Sequence, residues 1–93
     1  MTRTAAKTDN NQKAIVATLR AMGCSVQVLS GVGKGVPDLL VGFHNQNMLM
    51  EVKGLKGKLT PDQIVWHGDW HGQKPEIVRS CDGAIAVANG MVT

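Results

Sequence analysis

The chain has 93 residues, of which 43% are hydrophobic, and a formal net charge of +3. This length predicts one small domain over residues 1–93. A domain this small buries only a modest fraction of its surface, so we expect a second protomer to complete its core. No apolar stretch approaches the roughly 18 residues that a membrane helix requires, and the opening MTRTAAKTDN lacks the apolar centre of a secretory signal. We therefore expect a cytoplasmic protein without a membrane segment, whose positive charge mildly favours polyanionic partners.

Apolar spacing predicts a helix followed by three strands. Residues 1–8 are predicted to be a flexible polar arm. A helix is predicted from Asp9 to Met22, because apolar residues recur there at helical spacing and Gly23 follows. The segments CSVQVLS, DLLVGF and MLMEVK alternate or cluster apolar residues as strands do, and a polar four-residue loop over 44–47 joins the last two. Together they predict an antiparallel meander.

A second helix is predicted to begin after Thr60. Thr60 suits the N-cap, Pro61 the first helical position, and Gln63 completes a capping box. The helix should end between Gly68 and Gly72. After it, the segments EIVRS and AIAVAN are predicted to be short strands. The fold class is therefore α/β, in the order helix, three-strand antiparallel meander, helix, strand. The predicted core includes Val16, Ile64, Val65, Ile77, Ile85 and Val87.

Two acids and a lysine, Asp38, Glu51 and Lys53, stand at the ends of adjacent predicted strands. A four-residue hairpin loop sets Phe43 opposite Met48 and Asp38 opposite Lys53, with Glu51 diagonal to Asp38 on the same face. Two carboxylates this close repel each other and cost free energy to desolvate. A hard divalent ion, Mg²⁺ or Mn²⁺, relieves both effects. The arrangement suits metal-assisted hydrolysis of a phosphodiester, with Lys53 beside the anion.

Each of these elements also has an ordinary structural explanation. Glu-x-Lys on a strand is usually a solvated pair, and Pro-Asp is common at turns and strand starts. Their conjunction at the ends of adjacent apolar strands favours the functional interpretation.

At these residues the sequence resembles the PD-(D/E)XK nucleases, through Pro37-Asp38 followed by Glu51-Val52-Lys53. More closely, the segments GVPDLL, MEVKG, GKLTPDQ and VRS resemble the VRR-NUC family, in particular its short stand-alone phage and bacterial members. The resemblance covers nearly the whole chain and implies a restriction-endonuclease-like core. It also implies metal binding by Asp38, Glu51 and the backbone carbonyl of Val52, with Lys53 as the catalytic lysine.

Two further residues keep alternative explanations. The resemblance places Gln63 near the site as a catalytic residue, whereas the sequence alone explains it by the capping box. The family's glutamate in helix one is matched by Asp9, which is one methylene shorter. Asp9 is either an N-cap, which we favour, or an outer or second-metal ligand, so the number of metal ions stays open.

Lysines outside the motif are candidates for nucleic-acid binding. Lys34 lies in GVGKGV, which is not a P-loop because no Ser or Thr follows the lysine. Lys56 and Lys58 follow the strand that carries the motif, and solvated loops are their alternative explanation. His67 and His71 are four residues apart, a spacing that can hold zinc, but no third ligand accompanies them and zinc is not predicted.

The residues and the resemblance together predict a metal-dependent DNA endonuclease that uses Mg²⁺ or Mn²⁺ and acts as a homodimer. The resemblance implies branched DNA, such as Holliday junctions, as its substrate. Its expected location is the cytoplasm of a bacterial or phage-infected cell. The dimer rests on small size and on the resemblance. The alternatives are a nuclease for flap, duplex or single-stranded DNA, and a DNA-binding module without catalysis.

Overall fold

The computed structural model describes residues 3–90, with side chains from residue 10 onward. In chain order the elements are α1 (Arg3–Ala21), β1 (Ser25–Val28), β2 (Leu39–Phe43), β3 (Gln46–Val52), α2 (Pro61–Asp69), β4 (Glu76–Val78) and α3 (Cys81–Gly90). The sheet has the strand order β1-β2-β3-β4, in which the first three strands form an antiparallel meander and β4 runs parallel to β3. This confirms the predicted α/β fold class. Within the described residues, no helix has the length and apolar character needed to cross a membrane.

Helix α1 begins earlier than predicted. It starts at Arg3, so the predicted arm over residues 1–8 is helical from Arg3 onward. Asp9 therefore lies inside the helix, and its assignment as the N-cap is wrong. The reason is that no Gly or Pro interrupts residues 3–10, so nothing stops the helix from extending past Asp9. At the other end, Gly23 adopts a φ of +103°, which ends the helix as predicted.

Helices α1 and α3 cover one face of the sheet and form the hydrophobic core with it. The β2 and β3 residues on this face alternate with residues that point to the other face, as strand geometry requires. Helix α1 contributes Ile15, Val16 and Leu19, and Val16 was predicted to lie in the core. The buried apolar residues of the sheet and α3 are Leu39, Val41, Met48, Met50, Val52, Val78, Ala84 and Ala88.

The segment AIAVAN, predicted as a strand, lies in α3 instead. Ser80 begins this helix, because its Oγ accepts the N–H of Gly83 at 3.0 Å and its carbonyl accepts the N–H of Ala84 at 3.0 Å. Ala84 and Ala88 are one turn apart and both fully buried. A short apolar run fits a buried helix as well as a strand, and periodicity alone does not separate the two.

Helix α2 lies on the other face of the sheet and leaves much of that face uncovered. It runs over Pro61–Asp69 as predicted, but none of its residues is fully buried. Three predicted core residues are in fact exposed: Ile64 by 59%, Val65 by 61% and Ile77 by 41%. Each of them therefore lies at the surface rather than in the core.

Candidate active site

The turn between β2 and β3 decides which charged residues face each other. His44 and Asn45 form a two-residue turn, and the strands pair Phe43 with Gln46. The predicted pairing of Phe43 with Met48 is therefore wrong. Both turn residues have positive φ, 49° and 64°, as a type I′ turn requires. The usual Asn-Gly signal for such a turn is missing, so the sequence did not reveal the shorter loop.

This turn shifts the register and brings the two acids directly opposite each other. Leu39 pairs with Met50, and one step further along the same register Asp38 faces Glu51. The predicted pairing of Asp38 with Lys53 is wrong by two residues. Directly opposed residues have Cβ atoms only about 4.5–5.5 Å apart, closer than diagonal neighbours. The acids therefore form a tighter pair than predicted.

Glu51 is buried, with a relative exposure of 1%. Its Oε2 accepts a hydrogen bond from Nε2 of Gln63 at 3.1 Å. Burial, followed by a hydrogen bond and the negative charge of Asp38, raises the pKa of Glu51 to about 8, and the positive charge of Lys53 opposes this rise. The ionised form of this carboxyl therefore needs more positive charge than its protein neighbours supply.

Asp38 is fixed from both sides. Its carboxylate Oδ2 accepts the backbone N–H of Val52 at 2.8 Å, and its carbonyl accepts the N–H of Leu29 at 2.7 Å. Pro37, just before it, is buried. These contacts hold the Asp38 carboxylate against the strand that carries Glu51.

Lys53 follows the last residue of β3, where backbone contacts hold it in place. Its N–H donates to the carbonyl of Val78 at 3.0 Å. Its carbonyl accepts from Nδ2 of Asn11 at 3.2 Å, and the same amide donates to the carbonyl of Arg79 at 3.3 Å. Asn11 thus ties the ends of β3 and β4 to α1, a role that the sequence did not indicate.

Gln63 forms the capping box and also contacts Glu51, while its catalytic role stays a prediction. Its Oε1 accepts the N–H of Thr60 at 2.9 Å, and its N–H donates to Oγ1 of Thr60 at 3.3 Å, which completes the capping box. Its Nε2 is left to bond Glu51. One amide serves both roles because its oxygen accepts on one side while its nitrogen donates on the other.

His67 lies beside Glu51 and is a site residue that the sequence analysis did not identify. Its Nε2 is 3.7 Å from Oε1 of Glu51, and its side chain is 13% exposed. Burial, Lys53 and Lys74 lower the pKa of His67, so the imidazole is neutral at neutral pH. The sequence signal that could have identified His67 is its spacing of four residues from Gln63, because residues four apart lie on the same face of a helix.

The comparisons with known proteins agree with this geometry. The family model of the VRR-NUC domain matches residues 3–89. The chain belongs to the VRR-NUC domain family. This family is of the PD-(D/E)XK nuclease type, which confirms the resemblance seen in the sequence. A solved structure described as a VRR_NUC domain is 28% identical, with a TM-score of 0.72 over 89% of this chain and 95% of that chain. Among curated proteins no match was found.

The predicted DNA-binding lysines of the VRR-NUC domain lie in two exposed loops. Lys34 has a φ of +57°, and it lines a groove of about 260 Å³ together with residues of α2 that include Asp62 and Trp66. Lys56 and Lys58 are exposed in the loop after β3. Their role in binding nucleic acid stays a prediction.

Arg79 braces the loop that carries Lys56 and Lys58. One nitrogen of its guanidinium donates to the carbonyls of Gly54 at 2.7 Å and Gly57 at 2.8 Å. The loop leads from the end of β3 to the first residue of α2. Arg79 therefore helps to set the distance between Lys53 and the helix that holds Gln63.

The carboxylate pair of the VRR-NUC domain fits a hard divalent cation. Within the side chains that the structure describes, no group of three or more His, Cys, Asp and Glu residues is preassembled for a metal. The acids come as a pair, and Oε1 of buried Glu51 has no hydrogen-bond partner among the described residues. Mg²⁺ commonly binds through one or two carboxylates while keeping several waters. The side chain of Asp9 lies outside the described residues, so its assignment as a ligand stays a prediction.

The raised pKa of Glu51 predicts that the metal-free domain loses stability as pH rises. Its folded pKa of about 8 lies above the ordinary 4.5. The folded state therefore holds more protons than the unfolded state between these values, and the free energy of unfolding falls across that window. The lowered pKa of His67 acts only below its ordinary 6.5. In EDTA we expect a lower urea midpoint at about pH 8.5 than at about pH 7.

The matched variant for this experiment is Glu51→Gln, which keeps the shape of the side chain and removes the titrating proton. Its urea midpoint should fall less over the same pH range. If the urea midpoint falls equally with pH in the wild type and the variant, the role assigned to the Glu51 carboxyl is wrong.

Proposed function

We propose that this VRR-NUC domain is a metal-dependent DNA endonuclease that uses Mg²⁺ or Mn²⁺. The observation that supports this proposal is the buried carboxylate of Glu51, which faces Asp38 next to Lys53 within the fold of a nuclease family. Burying an unneutralised pair of acids costs stability. A catalytic cation explains why the chain keeps such a pair at the end of its central strands.

The protein residues have separate roles in the proposed reaction. Asp38, Glu51 and the carbonyl of Val52 would hold the cation, which when bound would supply Lewis-acid polarisation of the phosphoryl group and a more acidic water. The Val52 N–H orients Asp38, and Gln63 orients Glu51. Lys53 places a positive charge where the phosphate gains negative charge in the transition state.

The exposed lysines support DNA as the substrate class. Lys34, Lys56 and Lys58 suit contacts to phosphates, which supply affinity and orientation but carry no base information. We therefore propose selection by DNA shape, with branched DNA such as a four-way junction as the preferred substrate.

The test is cleavage of labelled four-way junction, flap, duplex and single-stranded DNA with Mg²⁺, Mn²⁺ or EDTA. Metal-dependent cutting that ranks the junction first is the expected result. If a flap, duplex or single strand is cut fastest, the proposed preference for branched DNA is wrong, but the assignment as a nuclease remains. A folded domain that binds DNA and cuts none of these would be a binding module.

An uncovered apolar surface supports a homodimer. Leu40 and Leu49 on the sheet line a groove of about 310 Å³ with Trp70, and Ile77 lies on the same sheet face, directly opposite Glu51. Leu40 and Trp70 are 39% and 43% exposed. Contiguous exposed apolar patches commonly mark protein interfaces. We propose that this surface packs on a second copy, so that two active sites meet one branched substrate.

The dimer predicts a solution mass of twice 9.9 kDa. Leu40→Glu places a charge in the centre of the surface and should yield a monomer in sedimentation equilibrium at micromolar concentration. Leu55→Glu is the matched control, because Leu55 is 84% exposed and does not line the groove. A monomeric wild type, or a Leu40→Glu variant that stays dimeric, would reject this interface.

A further inference from the structure

Two buried polar atoms face each other in the site, and neither has a hydrogen-bond partner among the described residues. They are Oε1 of Glu51 and Nε2 of His67, and among the described side chains both are shielded from solvent and unbonded. They are 3.7 Å apart. Buried polar atoms in folded proteins nearly always have a partner, so an unsatisfied pair needs an explanation.

The two atoms are too far apart for a direct hydrogen bond, and leaving both of them without any partner is energetically unfavourable. A hydrogen bond from a ring nitrogen to oxygen requires about 2.7–3.2 Å, and the observed separation is longer. Leaving both atoms unsatisfied costs free energy for each of them. Bonds from Zn²⁺, a divalent ion of similar size, to histidine nitrogen and carboxylate oxygen are about 2.0–2.2 Å long. The separation of 3.7 Å is shorter than two such bonds end to end, so one ion can bond to both atoms.

We propose that His67 is a nitrogen ligand, through Nε2, of the divalent cation that Glu51 holds. This inference rests on the proposed function, because it concerns the same cation. It adds a histidine to a site whose other predicted ligands are all oxygens. The two side chains do not form a complete site by themselves, so water, backbone or substrate must fill the remaining positions.

Helix α2 is held in the orientation that this role requires. Gln63, one turn before His67, bonds Glu51 and closes the capping box at the start of the helix. Lys74 donates to the carbonyls of His67 and Gly68, each at 3.0 Å, and so fixes the end of the helix. With both ends fixed, the imidazole stays beside Glu51.

A nitrogen ligand has a consequence for metal preference. Imidazole favours transition metals, whereas carboxylates, carbonyls and water suit Mg²⁺. His67→Gln should weaken Mn²⁺ binding by at least about tenfold, since even partners outside the ligand shell are worth that much. The same variant should weaken Mg²⁺ binding less. Isothermal titration of the untagged whole chain with each metal alone measures both effects.

The direct test is pulsed EPR of Mn²⁺ bound to the untagged chain with ¹⁵N in its histidines. The chain has three histidines, so the double variant His44→Asn, His71→Gln leaves only His67. We expect hyperfine coupling to an imidazole nitrogen in the wild type and in the double variant, and its loss in His67→Gln. If His67→Gln fails to fold, the double variant still decides the question.

The outcomes separate this inference from the proposed function. If Mn²⁺ binds the double variant but shows no coupling to a histidine nitrogen, His67 is not a ligand, and the proposed metal-dependent nuclease is unaffected. A folded wild type that binds neither Mn²⁺ nor Mg²⁺ rejects both. Equal weakening of Mn²⁺ binding in His67→Gln and His71→Gln would also reject the assignment, because His71 is exposed and lies beyond the end of α2.

Discussion

Replacing Glu51 by Gln should abolish metal-dependent cleavage, with a loss of roughly 10³-fold or more. The change keeps the shape of the side chain and an acceptor for Gln63, but removes the negative charge that binds a cation. DNA binding without metal should persist, because the pKa of about 8 keeps most of the metal-free Glu51 protonated at neutral pH and the variant therefore removes little charge. Single-turnover cleavage and binding without metal, measured on the preferred DNA, separate the two effects.

The chain offers a matched control for this variant. Glu76 is exposed at the start of β4. Glu76→Gln makes the same carboxyl-to-amide change at a position that pairs with Met50, on the opposite face of the sheet from Glu51. It should cleave at close to the wild-type rate. Wild-type cleavage by Glu51→Gln would show that the reaction takes place elsewhere or that another protein contaminates the preparation.

Local sequence signals predicted the second helix well because its start is encoded by neighbouring residues. Thr60, Pro61 and Gln63 form a capping box whose partners lie three residues apart, so no tertiary information is needed. The AIAVAN segment shows the opposite case. Its residues are all compatible with a buried strand, and packing against α1 and the sheet, together with the Ser80 cap, makes it helical.

The hairpin register needed information that the sequence pattern lacks. Alternation of apolar residues places Asp38 and Glu51 on the same face whether the loop has two residues or four. The choice between these loops depends on left-handed conformations at His44 and Asn45, which neither residue type demands. The acids could therefore be predicted to be neighbours, but not to face each other directly.

Residues from distant elements explain most of what the sequence analysis missed at the candidate site. Asn11 and His67 reach the site from α1 and α2 through packing, and no motif connects them to Glu51. The exposure of Ile64 and Val65 has a related cause. Hydrophobicity predicts that a side chain prefers burial, but it does not tell whether the same chain or a second copy provides the cover.

Replacing Lys53 by Met should lower the cleavage rate by about 10²–10³-fold while the cation still binds. The flexible stem is preserved, and the contacts that hold this position are made by its backbone N–H and carbonyl. What disappears is the positive charge that the proposed reaction uses to stabilise the phosphate in the transition state. Cleavage at saturating Mn²⁺, together with the Mn²⁺ affinity from titration, measures these effects separately.

Lys56→Met is the control for this variant, since Lys56 is exposed in the neighbouring loop. If Lys56 contacts a phosphate, this change should weaken DNA binding across all substrates and reduce the salt slope by about one, with the rate at saturating DNA unchanged. Equal losses in the two lysine variants would mean that Lys53 only binds DNA.

A second measurement is specific to Lys53, because the charge of Lys53 lowers the pKa of Glu51. Its loss should therefore raise that pKa and move metal binding to higher pH, since the cation competes with the proton for the carboxylate.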